Sequence, residues 1–138
     1  MIRTFALFVL VLWLMGLGAL GSCARADQLH PVYLGKWCHQ SGHAKSKDKT
    51  YYRDGGRCSK DDMLIIERSG YHGWEFGCRY ISIKNTGQRL PASTKPKKHD
   101  WIPVVRISAH CEGEGEEPSN PEFILKYYKG TLTIAEAK

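Results

Sequence analysis

The sequence lacks the patterns that mark most well-defined enzyme chemistry. Its 138 residues contain no phosphate-binding P-loop, no dinucleotide fingerprint and no G-x-S-x-G nucleophile motif. Lysine- and arginine-rich segments interleaved with aromatic residues in a recognisable nucleic-acid motif are also missing. We therefore expect a non-catalytic protein that has no cofactor and no nucleic-acid partner.

A second absence concerns secondary structure. Beyond the N-terminal apolar run, no stretch repeats its apolar residues with the 3.6-residue period of a helix, and no internal repeat occurs. Short segments rich in β-forming residues, separated by turn residues, make up the chain instead. We predict an all-β fold, a small antiparallel barrel or sandwich of about six strands over 32–38, 63–68, 74–84, 102–111, 122–128 and 131–135.

The N-terminus contains the single long hydrophobic run. Arg3 precedes an apolar stretch over 5–20, and Ala24 and Ala26 then form an A-x-A cleavage site. This order is typical of a secretory signal peptide over 1–26, rather than of an uncleaved anchor. It predicts an exported protein, either periplasmic or secreted.

Cys23 offers a second interpretation of the same segment. The sequence LGSC (20–23) resembles a bacterial lipobox, in which the cysteine is lipidated and anchors the protein to a membrane. The complete A-x-A site just beyond it favours soluble export, which leaves residues 27–138 as a single domain. Mass spectrometry of the mature N-terminus distinguishes the two processing routes.

The charge of the mature domain is mildly positive. Two of the 20 basic residues and none of the 14 acidic ones lie in 1–26, so the remainder has a formal charge of +4. Such a charge favours association with an anionic envelope surface or polymer.

Four cysteines remain after cleavage, and an even number in a small exported domain predicts two disulfides. In an antiparallel hairpin, facing residues lie symmetrically about the centre of the turn. The first long loop therefore brings Cys38 opposite a residue near 62, and the second brings Cys78 opposite a residue near 107. The nearest cysteines give the predicted pairs Cys38–Cys58 and Cys78–Cys111.

Period-two alternation assigns the core-facing side of the later strands. The residues predicted on that side are Trp74, Phe76, Cys78 and Tyr80 of the third strand, Pro103, Val105, Ile107, Ala109 and Cys111 of the fourth, and Leu132 and Ile134 of the last.

The segment KWCHQSGH (36–43) raises the question of a metal site, because Cys38, His39 and His43 are zinc or copper ligand types. A disulfide sulfur is not a thiolate, however, and HQSGH is a glycine-containing loop, so we predict no metal. A two-histidine site that includes His30 or His99 is the alternative. The acidic turn EGEGEEP (112–118) lacks the ligand ladder of an EF-hand calcium loop.

Two long basic loops, 39–61 and 85–100, lie beside aromatic residues. Binding residues concentrate on loops, and aromatic residues near cations are frequent contact residues. The alternative is that some of these aromatics complete the core. The residues predicted to bind are Lys45, Lys47, Lys49, Tyr51, Tyr52, Arg53, Lys95, Lys97, Lys98 and Trp101.

The motifs GKWC (35–38), EFGC (75–78) and HCEGEG (110–115), with a final G-x-L-x-I, resemble those of small exported bacterial proteins of uncharacterised function. Gly35 and Trp37 alone also resemble the G-x-W opening of lipocalin-like barrels and of bacterial metalloprotease inhibitors. That resemblance implies structural roles for both residues, with the tryptophan closing one end of a barrel. In those inhibitors an N-terminal segment enters the protease cleft, which implies that residues 27–32 make the contact.

We therefore predict an exported, disulfide-stabilised β protein that binds an unidentified protein or an anionic envelope polymer, as an inhibitor or as an envelope-surface-binding protein. A metal-dependent or hydrolytic envelope enzyme is the alternative, and Glu67 and Glu75 on adjacent strands are the carboxylates it would use. A lipid-anchored envelope component is a second alternative, decided by Cys23.

Overall fold

The structure, a computed structural model, describes residues 28–40 and 48–137. A 3₁₀ helix at Pro31–Tyr33 precedes eight strands: β1 Gly35–His39, β2 Lys49–Arg53, β3 Met63–Ile66, β4 Gly70–His72, β5 Phe76–Pro91, β6 Trp101–Gly113, β7 Glu122–Tyr128 and β8 Thr131–Glu136. None of the helical structure in these residues is long and apolar enough to cross a membrane.

The eight strands form one closed antiparallel barrel in the order β1-β2-β8-β7-β6-β5-β4-β3. Strands β3 to β8 follow one another as a meander, and β1 and β2 close the ring because β1 pairs with β3 while β2 pairs with β8. The all-β antiparallel prediction is confirmed, and the barrel rather than the sandwich is the architecture.

The connection between β2 and β3 runs along the outside of β1. Arg53 at the end of β2 pairs with Trp37, whereas Met63 at the start of β3 pairs with Cys38, so residues 54–62 must return past β1. Trp37 packs in the core, and its neighbour Cys38 therefore points outward, yet it is only 1% exposed. We call residues 54–62 the strap, because they cover Cys38 and bond to it through Cys58.

Both predicted disulfides are confirmed. Cys78 and Cys111 are direct cross-strand partners on β5 and β6, with their Cα atoms 4.0 Å apart. The Cα atoms of Cys38 and Cys58 are 5.7 Å apart. Two disulfides in so small a domain are typical of an oxidising, exported environment.

One end of the barrel is filled by the segment that precedes β1. The Tyr33 hydroxyl donates to the Pro103 carbonyl at 2.7 Å and lies 3.3 Å from the Leu125 carbonyl, at the point where the β6–β7 ladder ends. The Trp37 indole N–H donates to the Tyr33 carbonyl at 2.8 Å, and both rings are fully buried. We call this the plugged end; the β5–β6 and β7–β8 connections also emerge there. The opposite end, where the β1–β2 and β6–β7 connections emerge, is the open end.

The core-facing residues predicted on β6 and β8 are in place. Val105, Ile107 and Ala109 are buried in the core, and Leu132 is fully buried beside a half-buried Ile134. The prediction for the third strand is wrong at its start. Trp74 precedes β5 and is 60% exposed, so it is not part of the core. Phe76, the first residue of β5, lies on the same face as Cys78, as predicted, but is 42% exposed because the strand begins at the open rim of the barrel.

Two short strands were absent from the prediction. β2 lies inside the predicted loop 39–61. It was missed because its sequence KTYYR has no strong apolar alternation, and only Tyr51 of its five residues is buried. β4 is three residues long and lies within the predicted turn SGYHG. Strand β5 also continues to Pro91, through two register shifts against β6, into the predicted loop 85–100.

Candidate binding surfaces at the two ends of the barrel

The structure places the described lysines of the two predicted basic loops at opposite ends of the barrel. Lys49 begins β2 at the open end, whereas Lys95, Lys97 and Lys98 lie between β5 and β6 at the plugged end. Lys45, Lys47 and His43 lie outside the described residues. The predicted binding residues therefore belong to two surfaces.

Arg53 is placed in the barrel wall rather than on a free loop. Its guanidinium lies 4.0 Å from the centre of the Trp37 ring and donates to the carbonyls of Leu34 and Val32, each at 2.5 Å. Gly35 has φ +114°, and a Cβ atom there would lie 2.8 Å from the Arg53 Nη1 atom. Arg53 thus covers the tryptophan and ties it to the segment before β1.

The predicted aromatic residues divide between core and surface. Tyr51 was predicted as a binding residue on an exposed loop, but it is 8% exposed and packs in the core, because β2 turns it into the barrel. Tyr52 follows it on the strand and points outward, 48% exposed. Trp101, at the start of β6, is 40% exposed.

Two connections at the plugged end each present lysine beside an exposed ring. Trp101 follows the β5–β6 loop, whose Lys95, Lys97 and Lys98 are exposed. At the β7–β8 turn, Tyr128 is 45% exposed and the Lys129 Nζ atom lies 4.8 Å from the centre of its ring. We call these six residues the lysine–aromatic surface: Lys95, Lys97, Lys98, Trp101, Tyr128 and Lys129.

Backbone hydrogen bonds fix both connections. The Lys97 N–H donates to the Asp100 carboxylate at 2.8 Å, the Asp100 N–H donates to the Lys97 carbonyl at 2.9 Å, and the Ala92 N–H donates to the Asp100 carbonyl at 2.7 Å. The β7–β8 turn has two residues at positive φ, Lys129 at 48° and Gly130 at 87°, as a type I′ hairpin turn requires. The lysines are therefore held on short, closed loops.

Nothing in the described part of the chain neutralises these four lysines. The ion pairs among the described residues are Arg106–Glu122, at 3.5 Å, and His110–Glu112, at 3.3 Å. The acidic residue of the β5–β6 loop is Asp100, and its carboxylate accepts a hydrogen bond from the Lys97 backbone N–H. The plugged end therefore presents a positive surface.

The open end contains a cup of about 300 Å³. Inward-facing residues at the ends of the strands form its wall and floor, and the turn between β6 and β7 forms part of its rim. Its lining residues are Lys49, Tyr51, Tyr71, Phe76, Cys78, Cys111, Glu112, Gly113, Glu116, Glu117, Ser119, Pro121 and Ile134.

The floor of the cup is aromatic and neutral. The Tyr71 ring makes edge contacts with Phe76, at 5.9 Å between ring centres, and with Phe123, at 5.2 Å, and its hydroxyl lies 3.6 Å from the Cys111 sulfur. Burial and the neighbouring Tyr51 raise the pKa of Tyr71 to about 12, and burial also raises the pKa of Tyr51. Both hydroxyls therefore stay protonated at neutral pH.

The rim of the cup is acidic. Among the described residues, Glu112, Glu116 and Glu117 line it and Lys49 opposes them. The Glu112 carboxylate lies 3.3 Å from His110, on the outward-facing side of β6, so Glu116, Glu117 and Lys49 give the opening a formal charge of −1. The backbone groups of Cys111 and Ser119 pair at 2.8 and 3.0 Å, and the Glu114 N–H donates to the Glu75 carbonyl at 2.9 Å, which fixes the glutamate turn above the opening. Sequence reasoning considered this turn for calcium and set it aside, and it could not place the turn over an aromatic floor.

A cluster of metal-ligand types occurs at the strap. Ligand atoms of Cys38, Asp54 and Cys58 lie within 4.8 Å of one another, but the two sulfurs are joined in the disulfide and offer no thiolate. His39 packs edge-on against Tyr51, with ring centres 5.4 Å apart. His110 lies 2.8 Å from the Asn120 side-chain oxygen as well as near Glu112.

The segment before β1 is not a free arm. Leu29 is 6% exposed and belongs to the core, and Tyr33 anchors the segment in the barrel. The inhibitor-like contact expected for residues 27–32 would require Leu29 to leave its place in the core, and residue 27 lies outside the described residues.

No family model matches the sequence, and neither the curated proteins nor the solved structures contain a match.

Proposed function

We propose that this protein is an exported, non-catalytic binding protein that attaches to an anionic phospholipid surface through its lysine–aromatic surface. The observation that carries the proposal is the placement of four exposed lysines and two exposed rings on closed loops at one end of the barrel. It retains the partner class expected from the sequence, an anionic envelope surface, and assigns it to one end of the molecule.

The residue types on this surface suit a bilayer interface. Tryptophan and tyrosine rings place their apolar bodies at headgroup level with their polar groups in water. Each lysine near an anionic membrane surface contributes about 1 kcal/mol of attraction, which salt screens. The exposed rings of Trp101 and Tyr128 therefore lie on the same connections as lysines, whose positive charge adds electrostatic attraction to the membrane contact.

The charge of the opposite end supports one orientation on such a surface. The acidic turn over the cup lies at the open end of the barrel, so attachment through the plugged end keeps these carboxylates away from the anionic headgroups. For the charges of the described residues, attachment through the open end would bring the carboxylates of the turn against the headgroups and is disfavoured.

Vesicle co-sedimentation tests the proposal with the mature protein. We expect binding to vesicles of phosphatidylcholine with phosphatidylglycerol, little binding to phosphatidylcholine alone, and weakening as salt is raised. The variant Lys95→Gln/Lys97→Gln/Lys98→Gln should lose at least about tenfold in affinity, given about 1 kcal/mol per lysine.

A matched control changes the same charge elsewhere. Lys60, Arg79 and Lys84 are exposed on other parts of the barrel, and their triple glutamine variant should bind within about twofold of the wild type if the surface is local. Equal weakening of the two triple variants contradicts the proposal. Binding to a soluble polyanion such as polyphosphate, with none to the vesicles, overturns the assignment to phospholipid.

A further inference from the structure

The cup at the open end has the features of a ligand site that is separate from the lysine–aromatic surface. Its wall and floor are formed by side chains that the barrel already holds in place, including the rings of Tyr51, Tyr71 and Phe76 and the Cys78–Cys111 disulfide. Small-molecule sites are concave, mostly apolar and lined by a few well-placed polar groups. The volume of about 300 Å³ is at the lower limit of such sites, which favours a small ligand.

The charge of the rim selects among small ligands. Among the described residues around the opening, the carboxylates of Glu116 and Glu117 oppose the ammonium group of Lys49, so a cationic group is attracted there and an anionic one repelled. Aromatic rings line the floor, and a ring attracts an ammonium or quaternary ammonium group that lies against its face.

The floor excludes a bare metal ion as the occupant. Calcium and magnesium require several oxygen ligands, most of them carboxylates or carbonyls. The deepest polar side chains in the cup are the protonated hydroxyls of Tyr51 and Tyr71, and the carboxylates are confined to the exposed rim. A ligand that fills the cup therefore has an apolar body for the floor and a positive charge for the rim.

We infer that the cup binds a small amphipathic organic cation, with an aromatic or aliphatic body against Tyr71 and Phe76 and an amine near Glu116 and Glu117. This site is independent of the phospholipid surface, since it occupies the other end of the barrel and uses none of the same residues.

Three dansyl probes that share one fluorophore test the inference. Dansylcadaverine carries an ammonium group, dansylamide is neutral and dansylglycine carries a carboxylate. Fluorescence titration of the mature protein should give the tightest binding for dansylcadaverine, weaker binding for dansylamide and the weakest for dansylglycine.

Charge variants locate the ammonium group. Glu116→Gln/Glu117→Gln should weaken dansylcadaverine roughly three- to tenfold, as expected for two exposed carboxylates, and leave dansylamide unchanged. Lys49→Gln should act in the opposite direction and tighten dansylcadaverine. Glu114→Gln is the control, because Glu114 lies on the same turn but does not line the cup.

A second pair of variants locates the fluorophore. Phe76→Ala should weaken all three probes, whereas Trp74→Ala, which removes an exposed ring two residues away and outside the cup, should leave them unchanged. Circular dichroism of each variant checks that the barrel is intact. The inference is overturned if no probe binds, if the three probes bind equally, or if Phe76→Ala and Trp74→Ala have the same effect.

Discussion

At the scale of single residues, three contacts explain why glycine and tryptophan occupy their positions in the sequence GKW (35–37). Trp37 fills the plugged end, Arg53 lies over its ring, and Gly35 leaves room for the guanidinium. The resemblance to G-x-W barrels implied structural roles for Gly35 and Trp37, and the structure gives both a reason. The resemblance could not indicate a role for Arg53, because no sequence pattern near position 53 shows that its guanidinium lies over the Trp37 ring.

Gly35 provides a direct test of this arrangement. We expect Gly35→Ala to lower the free energy of unfolding by about 1–3 kcal/mol, because φ +114° is strained for a residue with a Cβ atom. The methyl group would also press on Arg53, whose guanidinium is held by two carbonyls. Urea unfolding measures the difference.

Gly55→Ala is the matched control, since a Cβ atom there meets nothing within 4 Å and the backbone is not at positive φ. This substitution should be neutral or slightly stabilising, because it restricts the unfolded chain. Equal losses of stability for both variants would show that the backbone conformation of Gly35 and its contact with Arg53 do not cause the loss.

At the scale of elements, predictability followed the strength of the apolar alternation. β6 alternates clearly from Val105 to Ala109 and was assigned as a strand, whereas β2 has a single buried residue, Tyr51, and was missed. The partner of Cys38 was nonetheless expected near residue 62, and Met63 is found opposite it, because β1 does pair with β3. The extra strand lies on the other side of β1 and leaves that register unchanged.

The strap is the element whose position depends most on a covalent bond. Without the disulfide, we expect Cys38→Ser/Cys58→Ser to lose about 3 kcal/mol of stability, the chain-entropy value for a loop of this length. The strap should also separate from β1, so trypsin should cut after Arg57 and Lys60 much faster than in the wild type. Mass spectrometry of peptides ending at these two residues gives the rates.

The second disulfide supplies the comparison. The Cys78–Cys111 disulfide closes a loop of similar length between β5 and β6, so Cys78→Ser/Cys111→Ser should lose similar stability while leaving the strap bonded to β1. If both double variants release the same peptides at the same rates, the strap is not held by Cys58.

At the scale of the whole molecule, charge is divided along the barrel axis. The lysine–aromatic surface is at one end and the acidic cup is at the other, separated by strands such as the seven-residue β7, about 20 Å long. The sequence showed the basic loop within 85–100 and the acidic turn 112–118. It could not assign either one to an end of the barrel, because that assignment depends on strand direction and on the unrecognised β2. The cup could not be predicted, because its residues come from five strands and the β6–β7 turn and meet only when the barrel closes.

We expect the two ends to act independently. Saturating vesicles that contain phosphatidylglycerol should change the dissociation constant of dansylcadaverine by less than about twofold, since no residue is shared and no element is required to move. The measurement is the probe titration repeated with and without vesicles, corrected for probe that partitions into lipid. Strong competition would place both activities at the same end.

The closed ring of strands restricts how any protein partner can be recognised. Where a strand is paired on both sides, its main-chain groups are taken and an incoming peptide cannot add to it. Among the described residues, 82–91 of β5 and 101–104 of β6 have a ladder partner on one side only, because β4 pairs with the first part of β5 and β7 with the later part of β6. Addition of a strand to the main chain is therefore restricted to this hairpin, and elsewhere a partner has to be met by side chains at the two ends or on the outer wall.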